Sequence, residues 1–297
     1  MKILFNLEYQ TTFGDSLMLN IRNGEDAGKT RQYRMHTVDG YHWSCEVSKS
    51  LKAGACIDYY YSVVRGDSLL REEWQVEPHR LELAARRGVS YTVYDHWIDI
   101  PEDSYMYSSA FTDCVLARRR ELSAASEYGR TVRLKVRAPQ LRLGQRLAVV
   151  GEPESMGAWS PRKAVAMSEH ESHEWVATLD ASLLPERPFE FKFVILSDKS
   201  ESDVVWEQSA NRTLALPRME DGEVVVYELP QASFPVYPWR GAGVVVPIFS
   251  LRSEGSFGVG DFGDLRMLVD WASKTGMRVI QVLPINDTNM TRTWQDS

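Results

Sequence analysis

The chain has 297 residues, of which 43% are hydrophobic and 25% are charged. These values are ordinary for globular proteins and leave room for two or three domains, each with its own core. The formal net charge of −7 excludes the broad basic surface that nucleic acids or anionic membranes would require.

The cysteine content and the N-terminus predict a cytoplasmic protein. The chain has three cysteines, Cys45, Cys56 and Cys114, which form no C-x-x-C motif. Because an odd number of cysteines cannot all pair within the chain, this content favours a reducing compartment. The apolar stretch Ile3-Leu4-Phe5 is too short for the core of a secretion signal. No run approaches the ~18 apolar residues that a membrane-spanning helix needs.

The first element in chain order is a strand. Apolar residues occupy every second position from Ile3 to Tyr9, the period of a half-buried strand. Val132 to Ala138 is a cleaner copy, with its charged residues on what we expect to be the outer, solvent-facing side. Short alternating runs separated by Gly, Pro and Asp follow each of these strands, as is typical of an antiparallel β-sandwich.

Tryptophans indicate that one unit occurs twice. Trp43 and Trp74 recur as Trp175 and Trp206 with a single offset of 132 residues (175 − 43 and 206 − 74). A period this long suits a small domain present twice. The same offset superimposes Met35 on Met167, Tyr59-Tyr60-Tyr61 on Phe191-Lys192-Phe193, and Arg80 on Arg212.

The predicted fold is therefore mainly β, with two tandem antiparallel β-sandwich domains of the Ig-like type. We place the first at residues 1–85 and the second at residues 129–230. Residues 86–128 neither repeat nor alternate, and we interpret them as an ordered connector packed against the domains because they are rich in aromatics.

The pattern changes at residues 239–297. Gly243 to Phe249 and Val279 to Pro284 are continuous apolar runs, typical of strands buried on both faces. Between them Asp261 is placed to cap a helix whose apolar side carries Phe262, Leu265, Leu268, Val269 and Ala272. This order predicts the first βαβ unit of an incomplete (β/α)8 TIM barrel, with Asp264 and Asp270 as solvated helix residues.

Two weak signals do not indicate a cofactor or a metal. Gly258 to Gly263 matches G-x-G-x-x-G, but about six residues separate it from the preceding strand, which disfavours dinucleotide binding. His170 and His173 have no further ligand at metal spacing, so we predict a surface loop there. We expect no cofactor.

One group of residues in the second unit suits a sugar. Trp159 lies in the Gly157 to Pro161 turn, where an indole is hard to bury, and Trp206 lies near the end of the unit. Indole faces pack well on the apolar C–H face of glucose. Lys192 and Asn211 can bind the sugar hydroxyls. Taken singly, each tryptophan is more often a core residue than a ligand platform, and it is the combination that points to a sugar site.

These residues form a pattern that resembles the family 20 carbohydrate-binding modules, which bind starch. The matching segments are Gly157-Ala158-Trp159, Trp175, Phe191-Lys192-Phe193, Val205-Trp206-Glu207 and Asn211-Arg212. The resemblance implies a starch site built from Trp159, Trp206 and Lys192, with Asn211 nearby. It implies for Trp175 either a second sugar contact or a structural role.

The first unit departs from that pattern. Asn23 to Gly28 contains no tryptophan, and Tyr60 stands where the second unit has its lysine. Trp43 and Trp74 are retained, so the fold is expected to persist. Sugar binding by the first unit stays open, with Trp43, Trp74 and Tyr60 as its candidate contacts.

A second resemblance covers the C-terminal segment and points to the 4-α-glucanotransferases of glycoside hydrolase family 77. The matching motifs are Trp239 to Gly243, Val246 to Ser253, Gly258 to Leu265 and Gln281 to Thr288. The family's retaining chemistry uses two carboxyl groups. By the resemblance they fall beyond residue 297, so no catalytic residue is assigned in this chain. Asp287, Trp294, Asp296 and Ser297 resemble the start of the family's acceptor-side loop.

Two functions follow as hypotheses. In the first, the chain is the N-terminal part of an enzyme that transfers α-1,4-glucan segments among maltooligosaccharides, glycogen and starch, and contributes the binding of those glucans. In the second, it is a non-catalytic starch- or glycogen-binding protein. Both predict α-1,4-glucans as partners, and neither predicts nucleic acid or membrane.

Overall fold

The computed structural model describes residues 1–23, 30–48, 54–84, 88–108, 111, 128–142, 144–170, 173–198, 200–235 and 241–285. The chain divides into two compact units, Met1–Pro235 and Val236–Ser297. The predicted mainly-β class is confirmed. Within the described ranges no helix is both long and apolar enough to cross a bilayer.

The first unit contains two sets of nine strands. The first module comprises β1 (Lys2–Glu8), β2 (Ser16–Asn23), β3 (Thr30–Arg34), β4 (His36–Thr37), β5 (His42–Ser48), β6 (Cys56–Arg65), β7 (Ser68–Glu72), β8 (His79–Glu82) and β9 (Ser90–His96). The second module comprises β10 (Thr131–Arg137), β11 (Gln145–Gly151), β12 (Val165–Ala166), β13 (Ser168–Glu169), β14 (Glu174–Asp180), β15 (Phe189–Ser197), β16 (Ser200–Trp206), β17 (Arg212–Leu214) and β18 (Glu223–Leu229).

The strands of the two modules pair in the same way. In the first module β1 lies between antiparallel β5 and parallel β9, and a second sheet joins β3, β2, β6 and β7, with β8 also paired to β6. In the second, β10 lies between β14 and β18, and β12, β11, β15 and β16 form the other sheet, with β17 on β15. Each module buries one hydrophobic core that draws on both of its sheets.

The predicted offset of 132 residues holds from Trp43 and Trp175 to β6 and β15 and not beyond them. Trp206 pairs with Val194, but the residue opposite Ser62, which is the counterpart of Val194, is Glu72. The equivalence of Trp74 and Trp206 is therefore wrong. The cause is the bulged hairpin that follows β15, which holds two more residues than the hairpin after β6. The next strands confirm the shift, because His79 occupies the place of Arg212.

The predicted connector begins too early. The prediction placed the connector at residues 86–128, but Ser90–His96 within that range is the ninth strand of the first module and pairs in parallel with β1. Val89, just before the strand, and Tyr91 and Val93 within it are buried at alternate positions. The next inward position is occupied by Asp95, whose carboxylate obscures the apolar pattern in the sequence. After β9 the described part of the connector forms a short 3-10 helix, Ser104–Tyr107.

A pair of strands that was not predicted joins the two modules. Strands β9 and β18 pair in parallel, from Ser90 opposite Glu223 to Tyr94 opposite Tyr227. This junction, called here the seam, fuses one sheet from each module into a single eight-stranded sheet. Backbone hydrogen bonds therefore run without interruption from one module to the next, and both form one compact unit.

The seam buries charges that we predicted to face solvent. Arg133 and Lys135 on β10 are each only 5% exposed. Nη1 of Arg133 donates to the carbonyl of Glu82 over 2.8 Å, and Lys135 donates to the carbonyl of Arg80, both on the first module. The period-of-two pattern was interpreted correctly, but the polar face of this strand is covered by the neighbouring module.

The histidines predicted to lie in a surface loop are also buried. His170 is 6% exposed and places Nδ1 2.7 Å from Oε1 of Glu82 in the first module. His173 is 4% exposed and has a left-handed backbone with a φ of 61°. His170 lies beside the first module, and the ring of His173 lies 5.6 Å from that of Tyr107 in the connector. A sequence-based assignment of loops does not include such contacts.

The second unit is a βαβ element. β19 (Gly243–Val246) and β20 (Val279–Val282) pair in parallel, and α1 (Phe262–Lys274) connects them. Asp261 caps the helix as predicted, in a reciprocal capping box with Asp264. Asp264 is therefore 5% exposed and not solvated.

Much of the apolar surface of this unit is uncovered. On the predicted inward side of α1 only Ala272 is buried, while Phe262 is 68% exposed. Other large apolar side chains of the unit are exposed as well: Val245, Phe249, Phe257, Val259, Met267, Val269, Trp271, Leu283 and Ile285.

Candidate functional site

The outward face of the β11–β15–β16 sheet carries two of the predicted sugar contacts. Along β15, Phe191 and Phe193 point into the core and are fully buried, so Lys192 and Val194 point outward. Trp206 on β16 lies directly opposite Val194 and shares its face. The side chains of Lys192 and Trp206 therefore project from adjacent strands, which are about 4.8 Å apart.

The third predicted contact is carried by the loop that covers this face. Val150, Ala148 and Val194 form a small outer cluster against which Ala164 packs, so residues 152–164 fold over the sheet. Trp159 lies in this loop, and its N–H donates to the carbonyl of Gly151 over 2.9 Å. Gly151 directly follows Val150, the residue that pairs with Lys192. The sheet thus brings Trp159, Lys192 and Trp206 to one area.

The turn that holds Trp159 has a rare backbone. Gly157, Ala158 and Trp159 have φ values of 86°, 46° and 63°, three successive left-handed residues, two of which are not glycine. A Cβ on Gly157 would lie 2.7 Å from the carbonyl oxygen of Lys163. Such strain persists where the surroundings enforce it and is concentrated at functional sites.

A buried ion pair supports the other side of the site. Glu207 is 2% exposed, and its Oε1 lies 2.6 Å from Nη2 of Arg212. The pair closes the turn between Trp206 and Asn211, and the guanidinium also lies 5.1 Å from the ring centre of Phe193. This positioning role was not predicted, although the Glu-x4-Arg spacing is visible in the sequence.

The same turn brings Asn211 to the site. Phe191 pairs with Arg212, so Asn211 extends the pairing opposite Lys192 and shares its face. The amide of Asn211 donates to Oε2 of Glu190 over 2.8 Å, and Nζ of Lys192 donates to the carbonyl of Glu207 over 3.2 Å. Both donors are thereby held in position, with further hydrogen-bonding capacity left for a ligand.

The arrangement presents an apolar surface with polar groups beside it. Trp206 is 39% exposed and Trp159 is half-buried, so neither indole is sealed in the core. Lys192 is half-buried and Asn211 is exposed. Aromatic rings flanked by neutral and cationic hydrogen-bond donors suit a neutral, hydroxyl-rich ligand with apolar C–H faces.

Two other tryptophans of the prediction are core residues. Trp175 is 4% exposed and Trp43 is 5% exposed, and each lies in the hydrophobic core of its module at the same strand position. Nε1 of Trp43 donates to the carbonyl of Tyr9 over 3.1 Å. A buried indole cannot present its face to a sugar, so the assignment of both as sugar contacts is corrected to a structural role.

The first module has a different surface at the equivalent place. Tyr60 occupies the position of Lys192, as predicted, but Ser62 and Glu72 replace Val194 and Trp206. They line a groove of about 560 Å3. The guanidinium of Arg22 packs on the Tyr60 ring, at 4.9 Å from its centre. The described part of this face contains no indole. Trp74 lies elsewhere, half-buried, with its ring edge against Tyr107.

Part of the prediction lies outside the described residues. Asp287, Trp294, Asp296 and Ser297, the proposed acceptor-side loop, are all among residues 286–297. The same holds for residues 24–29, where the first module was expected to lack the tryptophan turn.

One buried cluster has the spacing of a metal site. Ligand atoms of His79, Asp95 and Glu228 lie within 4.8 Å of one another at the seam. Each carboxylate already has a protein partner, since Oη of Tyr61 donates to Asp95 over 2.6 Å and Nζ of Lys135 lies 3.4 Å from Oε2 of Glu228. A cation there would face the charge of Lys135, so we interpret the cluster as an ion-pair network.

Two family models match separate parts of the chain. Residues 130–226 match the starch binding domain, and residues 246–297 match 4-alpha-glucanotransferase. The first range contains Trp159, Lys192 and Trp206, and the second covers most of the βαβ element.

The curated relatives are glucanotransferases. The chain is 29% identical over 320 aligned residues to 4-alpha-glucanotransferase DPE2 of Oryza sativa subsp. japonica, a match that spans 99% of this chain and 32% of that protein. It is 50% identical over 46 residues to the 4-alpha-glucanotransferase of Chlamydia trachomatis serovar D, covering 16% of this chain and 9% of that protein. The chain thus spans about a third or less of the length of these relatives.

Among solved structures, the family 20 module of the maltotetraose-forming amylase from Pseudomonas saccharophila is similar over 33% of this chain and 99% of that chain, with 20% identity and a TM-score of 0.28. The glucoamylase of Hypocrea jecorina is similar over 37% of this chain and 18% of that chain, with 22% identity and a TM-score of 0.31.

The β-strand architecture and the match to residues 130–226 define a starch-binding domain of the family 20 carbohydrate-binding type. The C-terminal match adds a fragment of the 4-alpha-glucanotransferase family. The chain therefore carries both, and over nearly its whole length it resembles the rice protein.

Proposed function

We propose that the second module binds α-1,4-glucans through Trp159, Trp206, Lys192 and Asn211. The observation that carries the proposal is the outward projection of Lys192 and Trp206 from one face of the sheet, with the strained Trp159 turn folded over that face. The indoles supply the platform for sugar rings. Lys192 and Asn211 supply hydrogen bonds to the hydroxyls.

The chain as a whole contributes glucan binding to a 4-α-glucanotransferase that moves α-1,4 segments among maltooligosaccharides, glycogen and starch. Support comes from the family match of residues 246–297 and from the similarity to the rice glucanotransferase. The uncovered apolar surface of the βαβ element also suits the opening of a (β/α)8 barrel, in which helices and further strands cover such faces. Binding near a barrel raises the local glucan concentration.

No described residue of the chain is assigned as nucleophile or general acid. The carboxylates of Asp261 and Asp264 are engaged in capping α1. The proposal is that the 297 residues bind glucan without transferring it, in the cytoplasm, with no cofactor. The alternative is a non-catalytic starch- or glycogen-binding protein, which the well-formed site of the second module would equally serve.

Retention in a glycogen-containing gel tests the binding site. The double variant Trp159→Ala, Trp206→Ala should lose most of its retention by glycogen. Trp271→Ala is the matched control, because Trp271 is 47% exposed and lies in the other unit. Retention of the double variant equal to that of the unmodified chain would refute the site.

Incubation with maltotriose tests the division of roles. The chain should bind the sugar without converting it to glucose and longer oligosaccharides. Formation of glucose by the purified chain would show that it carries transfer activity itself and would refute the binding-only role.

A further inference from the structure

A second cleft of aromatic side chains lies at one end of the seam. Because β9 and β18 run in parallel, both leave the sheet at the same edge. Beyond that edge, Trp97 and Ile98 follow β9 and Gln231 follows β18. Trp74, from the loop after β7, is fixed beside them because its N–H donates to the carbonyl of Ile98 over 3.0 Å.

Aromatic rings form the walls of this cleft. Trp74, Trp97 and Tyr107 line it together with Pro101 and Leu229. Both indoles are half-buried, and the edge of Trp74 lies against Tyr107 with ring centres 5.4 Å apart.

Neighbouring side chains hold Trp97 in place. The ring of Tyr9 lies 4.3 Å from that of Trp97, measured between ring centres, at an interplanar angle of 33°. The guanidinium of Arg71 also packs on the Trp97 ring, at 5.2 Å from its centre. A rigid indole of this kind loses little conformational entropy when a ligand stacks on it.

Hydrogen-bonding groups line the cleft between the rings. The carboxylate of Asp99 and the amide of Gln231 both lie there. Oε1 of Gln231 accepts from Oη of Tyr107 over 2.9 Å, and Nε1 of Trp97 donates to Asp99 over 3.0 Å. These contacts orient polar groups that retain free lone pairs for ligand hydroxyls.

The charges of the cleft are compensated. Asp99 pairs with Nη2 of Arg71 through both of its oxygens, over 2.5 and 2.7 Å. Arg137, which also lines the cleft, lies 3.5 Å from the carboxylate of Glu228. An aromatic cage for a cation needs uncompensated negative charge or at least no fixed cations nearby. A neutral ligand suits this cleft better.

The size of the cleft limits that ligand. Its volume is about 160 Å3, below the range of about 300–1,000 Å3 for pockets that hold drug-sized ligands. It therefore admits one sugar ring rather than a wound stretch of glucan.

We propose that this cleft is a second glucan-binding site, which takes a single glucosyl unit between Trp74 and Trp97. It rests on the proposed function for its ligand class but uses none of the residues of the first site. Both modules contribute to it, so it exists only because the seam joins them. A chain end held here and an internal segment held at Trp159 and Trp206 would anchor one branched glucan at two points.

Titration of the 297-residue chain with maltotriose tests the proposal. The unmodified chain should bind two molecules, and Trp159→Ala, Trp206→Ala should retain one. Adding Trp97→Ala to that double variant should weaken the remaining binding by about tenfold or more, since each ring stacked on a sugar contributes on the order of one factor of ten. Trp74→Ala in the same background should give the same loss.

Controls separate this proposal from the proposed function. Phe13→Ala, at a fully exposed apolar residue of the first module, should leave the remaining binding unchanged in the double variant. Each variant is accepted only if its thermal unfolding remains cooperative, and Trp97→Phe replaces Trp97→Ala if the latter does not fold.

The possible outcomes are distinct. No binding left in the folded double variant, or remaining binding that Trp97 and Trp74 variants do not change, overturns the cleft and leaves the first site intact. Binding that Trp159→Ala, Trp206→Ala does not reduce but Trp97→Ala abolishes supports the cleft and refutes the first site.

Discussion

Nδ1 of His79 lies 3.0 Å from Oε2 of Glu228, across the seam between the two modules. Its other ring nitrogen lies 3.1 Å from both oxygens of Glu73. Burial by itself lowers the pKa of His79, but the carboxylates of Glu228 and Glu73 raise it, and the net pKa is well above the ordinary value of 6.5. A protonated imidazole thus connects the modules.

The unfolding free energy should therefore depend on pH above 6.5. Protonated His79 stabilises the fold fully below its unfolded pKa, and this contribution is lost as pH rises toward the raised folded pKa. Urea unfolding between pH 7 and 9 should show falling stability, and His79→Gln should flatten that slope. Measuring above pH 7 avoids the titration of Asp95, whose pKa burial raises to about 6. An unchanged slope in His79→Gln would contradict this role.

Lys135→Met should destabilise the first unit strongly. Nζ of Lys135 lies 2.8 Å from Glu174 and 3.4 Å from Glu228, and its side chain is 6% exposed. Removing the cation leaves two buried carboxylates poorly compensated, at a cost of about 3–5 kcal/mol in unfolding free energy by urea titration. Lys2→Met is the control, because its ion pair with Glu46 is exposed and should contribute about 0–1 kcal/mol.

Trp175→Phe should leave glucan retention unchanged. The indole is 4% exposed within the core of the second module. Trp175→Ala should lower the unfolding free energy by about 3–5 kcal/mol through the cavity it creates. A Phe variant that folds normally yet no longer binds glycogen would show that the indole contacts sugar after all.

Gly157→Ala should weaken glucan binding more than Gly144→Ala. Both glycines have a φ near 80°, at 86° and 79°, so an alanine at either costs about 1–2 kcal/mol of backbone strain. Only at Gly157 would the new Cβ meet another group, the carbonyl of Lys163, whereas nothing lies within 4 Å at Gly144. The clash should displace the Trp159 turn. Equal retention of the two variants in a glycogen gel would argue against this.

Local patterns predicted several of the strands and the residues proposed for the first site. The period-of-two alternation identified β1 and β10, and the segments Tyr59 to Tyr61 and Phe191 to Phe193 superimpose as predicted. The Asp261 cap was also visible in sequence, because a cap depends on residues three positions apart. Such features are decided within a few residues of chain.

Register was not visible in the same way. The equal spacing of the two tryptophan pairs suggested that Trp74 matches Trp206, but a bulge of different length in each hairpin moves Trp74 out of the sheet. A bulge changes which residues face each other without changing hydrophobic composition.

The sequence by itself determined that the chain is mainly β and that Trp159 lies in a turn where an indole is hard to bury completely. Only the tertiary structure decided that β9 and β18 share a sheet, that Arg133 and Lys135 are buried, and that Trp97 and Gln231 line one cleft. The reason is physical: a strand's polar face is the same in sequence whether water or another module covers it. The difference is set by long-range packing, which pairs residues far apart in the chain.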